Sequence, residues 1–573
     1  MSCEFISALR RLSKLSAEAV QNIDNFDTLQ DYMHIKRKLE DDFRDMIKQL
    51  SGIHHKLLIL VCGSAGDGKS HLLSYLKHQG VLDSYTIIND ATESDAPNRT
   101  AIETLAQRIS AFRDDCLDDG NCEKVILAIN LGMLNNFIDS EQGKDFSELK
   151  KYVVNNHIFD IEPWMSVTTD GIFHHIDFSN YQLYTLTSDG VKSDYLNQLF
   201  KKVFGNSDEC GNNPFYQIYE EQSQCPYHKL CPVRHNFELL RDKNVREHLI
   251  QQIIEDCIKN KLVITSRDIL NFIFDALVSP DFDVNKLQAP SSQSAKFLKT
   301  YISYTTPMLI FANKGTSGLI DCMTANAASD ENIQIRDGKA LDFYAADDIV
   351  PIALEILKNS VYEDVWEHVE PSFNDDSDKE YVYKFLSNYQ KLTDYEACGT
   401  DLLYVYFIHD LYLVYSGSQK NLRKLYESVM HSIYAWNGDY GPGLMCIDDS
   451  CDDYSILEEL TIRPDISSKG DQKEVVQFMP MIPVRFISED ASAHSISFSI
   501  DYSLYKMIMS MNEGYCPTAE DRNIHTDFSN RIMALAEFGK KKSKVYIVSK
   551  GKKGNVKFQF EKNIFGCSFK KGM

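Results

Sequence analysis

Residues 56–79 read KLLILVCGSAGDGKSHLLSYLKHQ, and this stretch decides the fold. The apolar run Leu57 to Cys62 has the length and composition of a fully buried strand. After it, Gly63, Ser64, Ala65, Gly66, Asp67, Gly68, Lys69 and Ser70 satisfy G-x-x-x-x-G-K-[ST] at every fixed position. His71 to Gln79 then carries helical spacing and closes on Gly80. Strand, glycine-rich turn and helix in that order form a phosphate cradle: glycines turn successive N–H groups inward, and the helix N-terminus adds partial positive charge. Lys69 is expected to bridge the β- and γ-phosphates of a nucleoside triphosphate, most simply ATP, with the Ser70 hydroxyl on Mg²⁺.

Working outward, SYTIINDA (84–91) and KVILAINLG (124–132) read as strands separated by a helix over NRTAIETLAQRISAF (98–112). This alternation predicts an α/β fold, a P-loop NTPase parallel sheet with helices on both faces. A further strand is expected in GIFHHIDF (171–178), and two helices, VREHLIQQIIEDCIKN (245–260) and SRDILNFIFDALVS (266–279), read as a helical lid. Composition shifts divide the chain into a helical lead-in (1–50), the nucleotide domain with its lid (51–285), a mixed, mainly helical region (286–500) and a C-terminal region (501–573). The last two make a mixed α+β half. DLLYVYFIHDLYLVYSG (401–417) is buried helix or strand, unresolved by period, and KVYIVSKGKKGNVKFQFEK (544–562) alternates like a hairpin.

Hydrolysis asks for more than a cradle, since an acid on a neighbouring strand should hold Mg²⁺ and a polar group should orient water. The strand 124–129 stands where that acid is expected but ends in Asn130, which is no base. Carboxylates at other strand ends are Asp90, Glu93 and Asp177, each equally readable as a cap or surface charge. Arg267 opens the lid helix and is read either as a γ-phosphate contact or as an ordinary charge. Cys210, Cys225, His228, Cys231 and His235 gather in one loop without a C-x-x-C pair; a tetrahedral Zn²⁺ site is one reading, and reduced core Cys with surface His is the other. No G-x-S-x-G, H-E-x-x-H or nuclease constellation stands out.

The net charge is −23 over 573 residues, which repels a polyanion at long range. Eleven Lys against Glu561 alone give Gly539 to Met573 a charge of +10, so the first 538 residues carry −33. Such a tail is a solvated segment, a phosphate-backbone contact or a dock for an acidic partner. The N-terminus has no apolar signal region and no run approaches about 18 apolar residues, so a cytoplasmic protein with no membrane contact is expected.

VCGSAGDGKSHLLSYL, INDATES, AIETL and ILAINLGMLNNF follow one another here as in the DptF component of bacterial DNA phosphorothioation-dependent restriction systems, and TSRDILNFIFDAL and DYSLYKMIMSMNEGYCP are also similar to that family. The resemblance extends over most of the chain. It implies a host-defence subunit acting against DNA lacking the phosphorothioate mark, working with DptG and DptH and reaching DNA through that complex or the basic tail. It transfers Gly63 to Ser70 as the nucleotide site and no nuclease residue. A non-hydrolysing, nucleotide-gated scaffold, a general signalling or remodelling ATPase and a small-molecule kinase remain the other readings of the loop.

Overall fold

Each residue of β1 (Leu57–Cys62) is buried, and alternate side chains leave on opposite faces. Leu58, Leu60 and Cys62 enter one core, whereas Leu57, Ile59 and Val61 enter another. A strand with two buried faces must be covered twice, and the chain supplies the cover. The computed structural model describes residues 3–21, 27–89, 99–118, 120–159, 171–283, 295–312, 317–328, 341–367, 376–394, 401–417, 422–441, 443–460, 462–466, 473–488, 495–539, 544–549, 556–563 and 566–571.

β1 pairs in parallel with β3 (Lys124–Ile129) on one side and β4 (Phe173–Asp177) on the other; β2 (Thr86–Ile88) joins β3, giving the order β2-β3-β1-β4. On one face lie α5 (Ala101–Arg108), α6 (Leu131–Ile138) and α7 (Ser147–Asn155), through Leu105, Leu134, Phe137, Leu149 and Val153. The other face takes α3 (Lys38–Leu50), through Phe43, Met46, Ile47 and Leu50, and α4 (Lys69–His78), through Leu72, Leu73 and Leu76. The expected parallel α/β sheet with helices on both faces is present.

The lead-in is three helices. α1 (Glu4–Gln21) and α2 (Thr28–Met33) precede α3, and the helix expected through this stretch is interrupted at His34–Arg37. Phe5, Leu9, Leu12, Leu29 and Met33 belong to a large helical core that also takes residues from Leu183 to Leu535. That core crosses the expected boundaries at 285 and 500 without a break. Residues 401–417 resolve as the helix Leu402–Tyr415, and the lid helices as Lys243–Lys259 and Ser266–Leu277.

Short strands complete the molecule. β5 (Thr185–Thr187), β6 (Gly190–Lys192) and β10 (Glu474–Val475) form one sheet; β9 (Ile462–Pro464), β11 (Ile482–Ser488) and β12 (Ser495–Ile500) form another. The five-stranded sheet has the order β15-β14-β13-β8-β7, with β7 at Leu444–Asp448 and β8 at Tyr454–Glu459. The expected hairpin is its antiparallel pair β13 (Lys544–Ser549) and β14 (Val556–Asn563), extended by β15 (Gly566–Lys571). Among the described residues, no helix is long and apolar enough to cross a membrane.

Asn236 staples the helical core across the expected boundary at 285. Fully buried, it donates to Leu277 O at 3.0 Å and Tyr304 O at 2.7 Å and accepts from Thr306 N at 2.8 Å. Asn236→Ala leaves these backbone groups unpaired, a cost of about 2–4 kcal/mol. Urea unfolding should show the midpoint shifting to match; a change below about 0.5 kcal/mol, the usual scale of surface substitutions, would contradict a core shared by both sides.

Candidate functional site

The loop 63–70 leaves the C-terminal end of β1, the central position of the sheet. Gly63, Gly66 and Gly68 have φ of 145°, 92° and 90°, values that L side chains rarely adopt. Space adds a second constraint at two of them. A Cβ on Gly63 would stand 2.9 Å from Phe178 Cβ, and one on Gly66 would stand 2.8 Å from Thr265 Oγ1 and 3.0 Å from Arg267 Cβ. Gly68, left-handed, precedes the first residue of α4, so Lys69 and Ser70 occupy the first turn of that helix.

Two side chains fold into the loop. The Lys69 ammonium donates to Ser64 O, and Asp67 Oδ2 accepts from Ser64 N. Burial lowers the Lys69 pKa, opposed by Asp67, Cys62 and Asp177 and reinforced by Arg267. Burial raises the Asp67 carboxyl, opposed by Lys69, the Ser64 N–H and Arg37. The Asp67 carboxyl is thus held inside the loop by one backbone N–H, that of Ser64.

Arg267 reaches the loop through its backbone, whose N–H donates to Gly66 O at 3.3 Å. Its place is set by a capping box: Thr265 Oγ1 accepts from Asp268 N at 3.3 Å, and Thr265 N donates to Asp268 Oδ2 at 2.9 Å. Asp177 ends β4 opposite Cys62 and caps Ser179 N at 2.9 Å; burial raises its pKa and Lys69 lowers it. Asn130 lies at the end of β3, where its Oδ1 accepts from Met133 N at 2.6 Å as the cap of α6. Asp90 and Glu93 lie outside the described residues; β2 ends at Ile88.

The Cys/His loop is divided among several partners. Cys210 Sγ lies 3.1 Å from Lys201 O, and His235 Nδ1 lies 2.5 Å from Tyr301 Oη. Cys225 and Cys231 share their surroundings with Cys3 of the N-terminal segment, and burial pushes the Cys231 thiol up to about 11. Among the described residues, no group of three or more His, Cys, Asp or Glu side chains could hold a metal ion.

A small cleft, not anticipated from the spacing, lies beside Gly68, walled by the helix break at 34–37, α4, Tyr195 and Ser266. Arg37 donates to Tyr181 O at 3.0 Å and lies 5.3 Å from the Tyr195 ring centre, and Tyr195 Oη donates to Ser266 Oγ at 2.9 Å. His34 Nδ1 and His71 Nε2 are 3.1 Å apart, while His34 Nε2 contacts the buried Glu40 at 3.0 Å. Burial alone would raise the Glu40 carboxyl; hydrogen bonds from His34 and Arg44 outweigh it and bring it below the usual range. The spacing of YMHIKRKLEDDFRDMIKQL reads as one continuous amphipathic helix, whereas the helix is interrupted at 34–37, and that break forms part of the cleft wall.

No protein-family model matches the chain, and no curated protein matches it.

Burial, then the neighbouring His34, lowers the His71 pKa from 6.5 to about 4. The unfolded chain therefore takes up a proton that the folded chain refuses, so this stability is complete above pH 6.5 and is lost as pH falls toward 4. His71→Gln should lose less stability than the parent between about pH 7 and pH 5 in urea unfolding. Equal losses would refute the assignment of a neutral buried ring.

Proposed function

We propose that the loop 63–70 binds the phosphates of a nucleoside triphosphate, which makes this chain a P-loop nucleotide-binding protein. One observation carries the reading: left-handed glycines that exclude a Cβ, and a desolvated lysine in a helix's first turn, meet at the end of a central parallel strand. Gly63 to Gly68 offer the N–H cradle, Lys69 the cation and Ser70 the hydroxyl for Mg²⁺. When bound, Mg²⁺ neutralises phosphate charge. The triphosphate we assign is ATP, the simplest occupant of such a loop.

More particularly, we propose a DptF-like subunit of a phosphorothioation-dependent restriction system, cytoplasmic, working with DptG and DptH against unmarked DNA. The support is the set of segments from VCGSAGDGKSHLLSYL to DYSLYKMIMSMNEGYCP that follow that family's order. ATP binding then drives a step coupled to DNA sensing or cleavage. Arg267 is the lid residue for the γ-phosphate side, and Asp177 is the described strand-end carboxylate that shares the field of Lys69.

A second reading, a nucleotide-gated scaffold that does not hydrolyse ATP, is favoured by Asn130. Its amide oxygen is spent on the α6 cap, and it carries no charge for a metal.

The test is ATP binding and phosphate release by the purified chain with Mg²⁺, alone and then with the partner subunits and marked or unmarked DNA. Lys69→Ala removes charge-assisted hydrogen bonds to phosphate and should weaken ATP by about 10- to 100-fold. Unchanged affinity would sink the nucleotide reading. Turnover that depends on Lys69 and rises with unmarked DNA supports the restriction subunit; tight binding without turnover under every condition supports the scaffold. Asp67→Asn removes a negative charge from inside the cradle and should tighten ATP by about five- to tenfold in calorimetry. Weaker binding would show instead that Asp67 holds the loop in shape.

A further inference from the structure

The five-stranded sheet is covered unevenly. Helices Arg423–Ala435 and Thr526–Gly539 lie against its β7 side, where Met445 joins the main core. On the opposite face, Cys446, Leu457 and Val548 form a small core of their own with Tyr440 and Tyr546. The outer strands β14 and β15 carry large rings in the open: Phe558 is 38% and Phe569 68% exposed.

Register places these rings together. Phe560 stands opposite Phe569 and Phe558 opposite Lys571, and residues two apart on a strand share a face. Phe560 and Phe569 have ring centres 5.0 Å apart at 57°. One face of the hairpin therefore presents Phe558, Phe560 and Phe569 beside Lys571, an exposed cation on the sheet's edge strand. Exposed edges are normally guarded by charge and freed of large apolar groups; this one keeps the charge and adds the rings.

We propose that this face is a stacking platform for single-stranded DNA. Rings two residues apart along a strand are about 7 Å apart, a spacing on which successive unstacked bases of an extended strand can sit. Paired bases inside a duplex cannot reach them. The occupant is anionic because the platform belongs to the +10 tail of a chain whose remainder carries −33. Two copies meeting through this face would oppose like charges. The choice of DNA over RNA rests on the restriction reading above, whereas the platform itself does not depend on the nucleotide loop.

The experiment is fluorescence anisotropy of labelled dT20 with the full-length chain across a salt series, with a 20-base-pair duplex and rU20 as comparison probes. dT20 should bind more tightly than either. Phe569→Ala and Phe558→Ala should each weaken it by about tenfold, while Phe569→Trp should restore binding. Lys571→Gln should reduce the slope of log affinity against log salt by about 0.7, the share of one phosphate contact. Phe569 and Phe558 lie outside the buried cores, so circular dichroism and ATP affinity should match the parent. Lys69→Ala should bind dT20 normally, which keeps failure of the platform distinct from failure of the nucleotide site. The proposal is overturned by absence of dT20 binding, by alanine variants that bind as the parent does, by tighter binding of the duplex or rU20, or by self-association that Phe569→Ala abolishes.

Discussion

The burial of β1 on both faces is the constraint on which the rest of the sheet depends. Leu57 to Cys62 expose essentially no surface, so neither face tolerates water, and each needs its own layer of helices. The layers come from different parts of the chain: α3 precedes the strand and α4 follows it on one side, while α5, α6 and α7 cover the other. With β3 and β4 paired along its two edges, the strand ends open only beyond the sheet. The loop 63–70 is therefore held just beyond the C-terminal end of a rigid strand, the position at which open α/β sheets receive ligands.

The loop also touches the helical body, and at one point without slack. Gly66 lacks a side chain because Thr265 and Arg267 occupy the space, and its carbonyl accepts the Arg267 N–H. Thr265 is fixed in turn by its capping box with Asp268, which starts the helix Ser266–Leu277. That helix is built into the large core through Ile269, Phe272, Ile273 and Ala276. Movement of Gly66 toward the lid would press directly on a helix whose other face is close-packed, and such interiors shift as units rather than deform. The contact joins the sheet to a core that extends to Leu535.

What could be read from the sequence was whatever local chemistry decides. Strands β1, β3 and β4, the β13–β14 hairpin and the start of α4 all have a period or a turn signal strong enough to be set by a few residues. The helix Leu402–Tyr415 gave no period because apolar residues lie all round it: Phe407 and Leu411 are buried, while Leu402, Val405 and Tyr406 remain exposed. The composition shift near 285 suggests a boundary, whereas cores are set by contacts such as Asn236 with Tyr304, which composition cannot report. Arg37 and Tyr195 meet at the cleft from positions 158 residues apart, so no spacing rule reaches them. Asn130 illustrates a different ambiguity: the residue between a strand and the helix that directly follows it is also an N-cap, and here the side chain serves the cap.

Charge at the loop is balanced differently from charge in the whole molecule. Arg37, Lys69 and Arg267 act on the same small region as Asp67 and Asp177, a cluster of cations inside a chain of −23. Burial works against every member of this group, lowering Lys69 and Arg37 and raising Asp67 and Asp177. Lys69 and Arg37 oppose that rise at Asp67, and Lys69 opposes it at Asp177. An incoming anion would take over the partners that Asp67 now uses, since Ser64 N and Lys69 are already directed at the loop's interior. These cations gather at the end of β1, whereas the chain as a whole repels polyanions at long range. A compact anion at the end of β1 would meet Lys69, Arg37 and Arg267 together, whereas a long charged polymer would be repelled by the net charge of the whole chain.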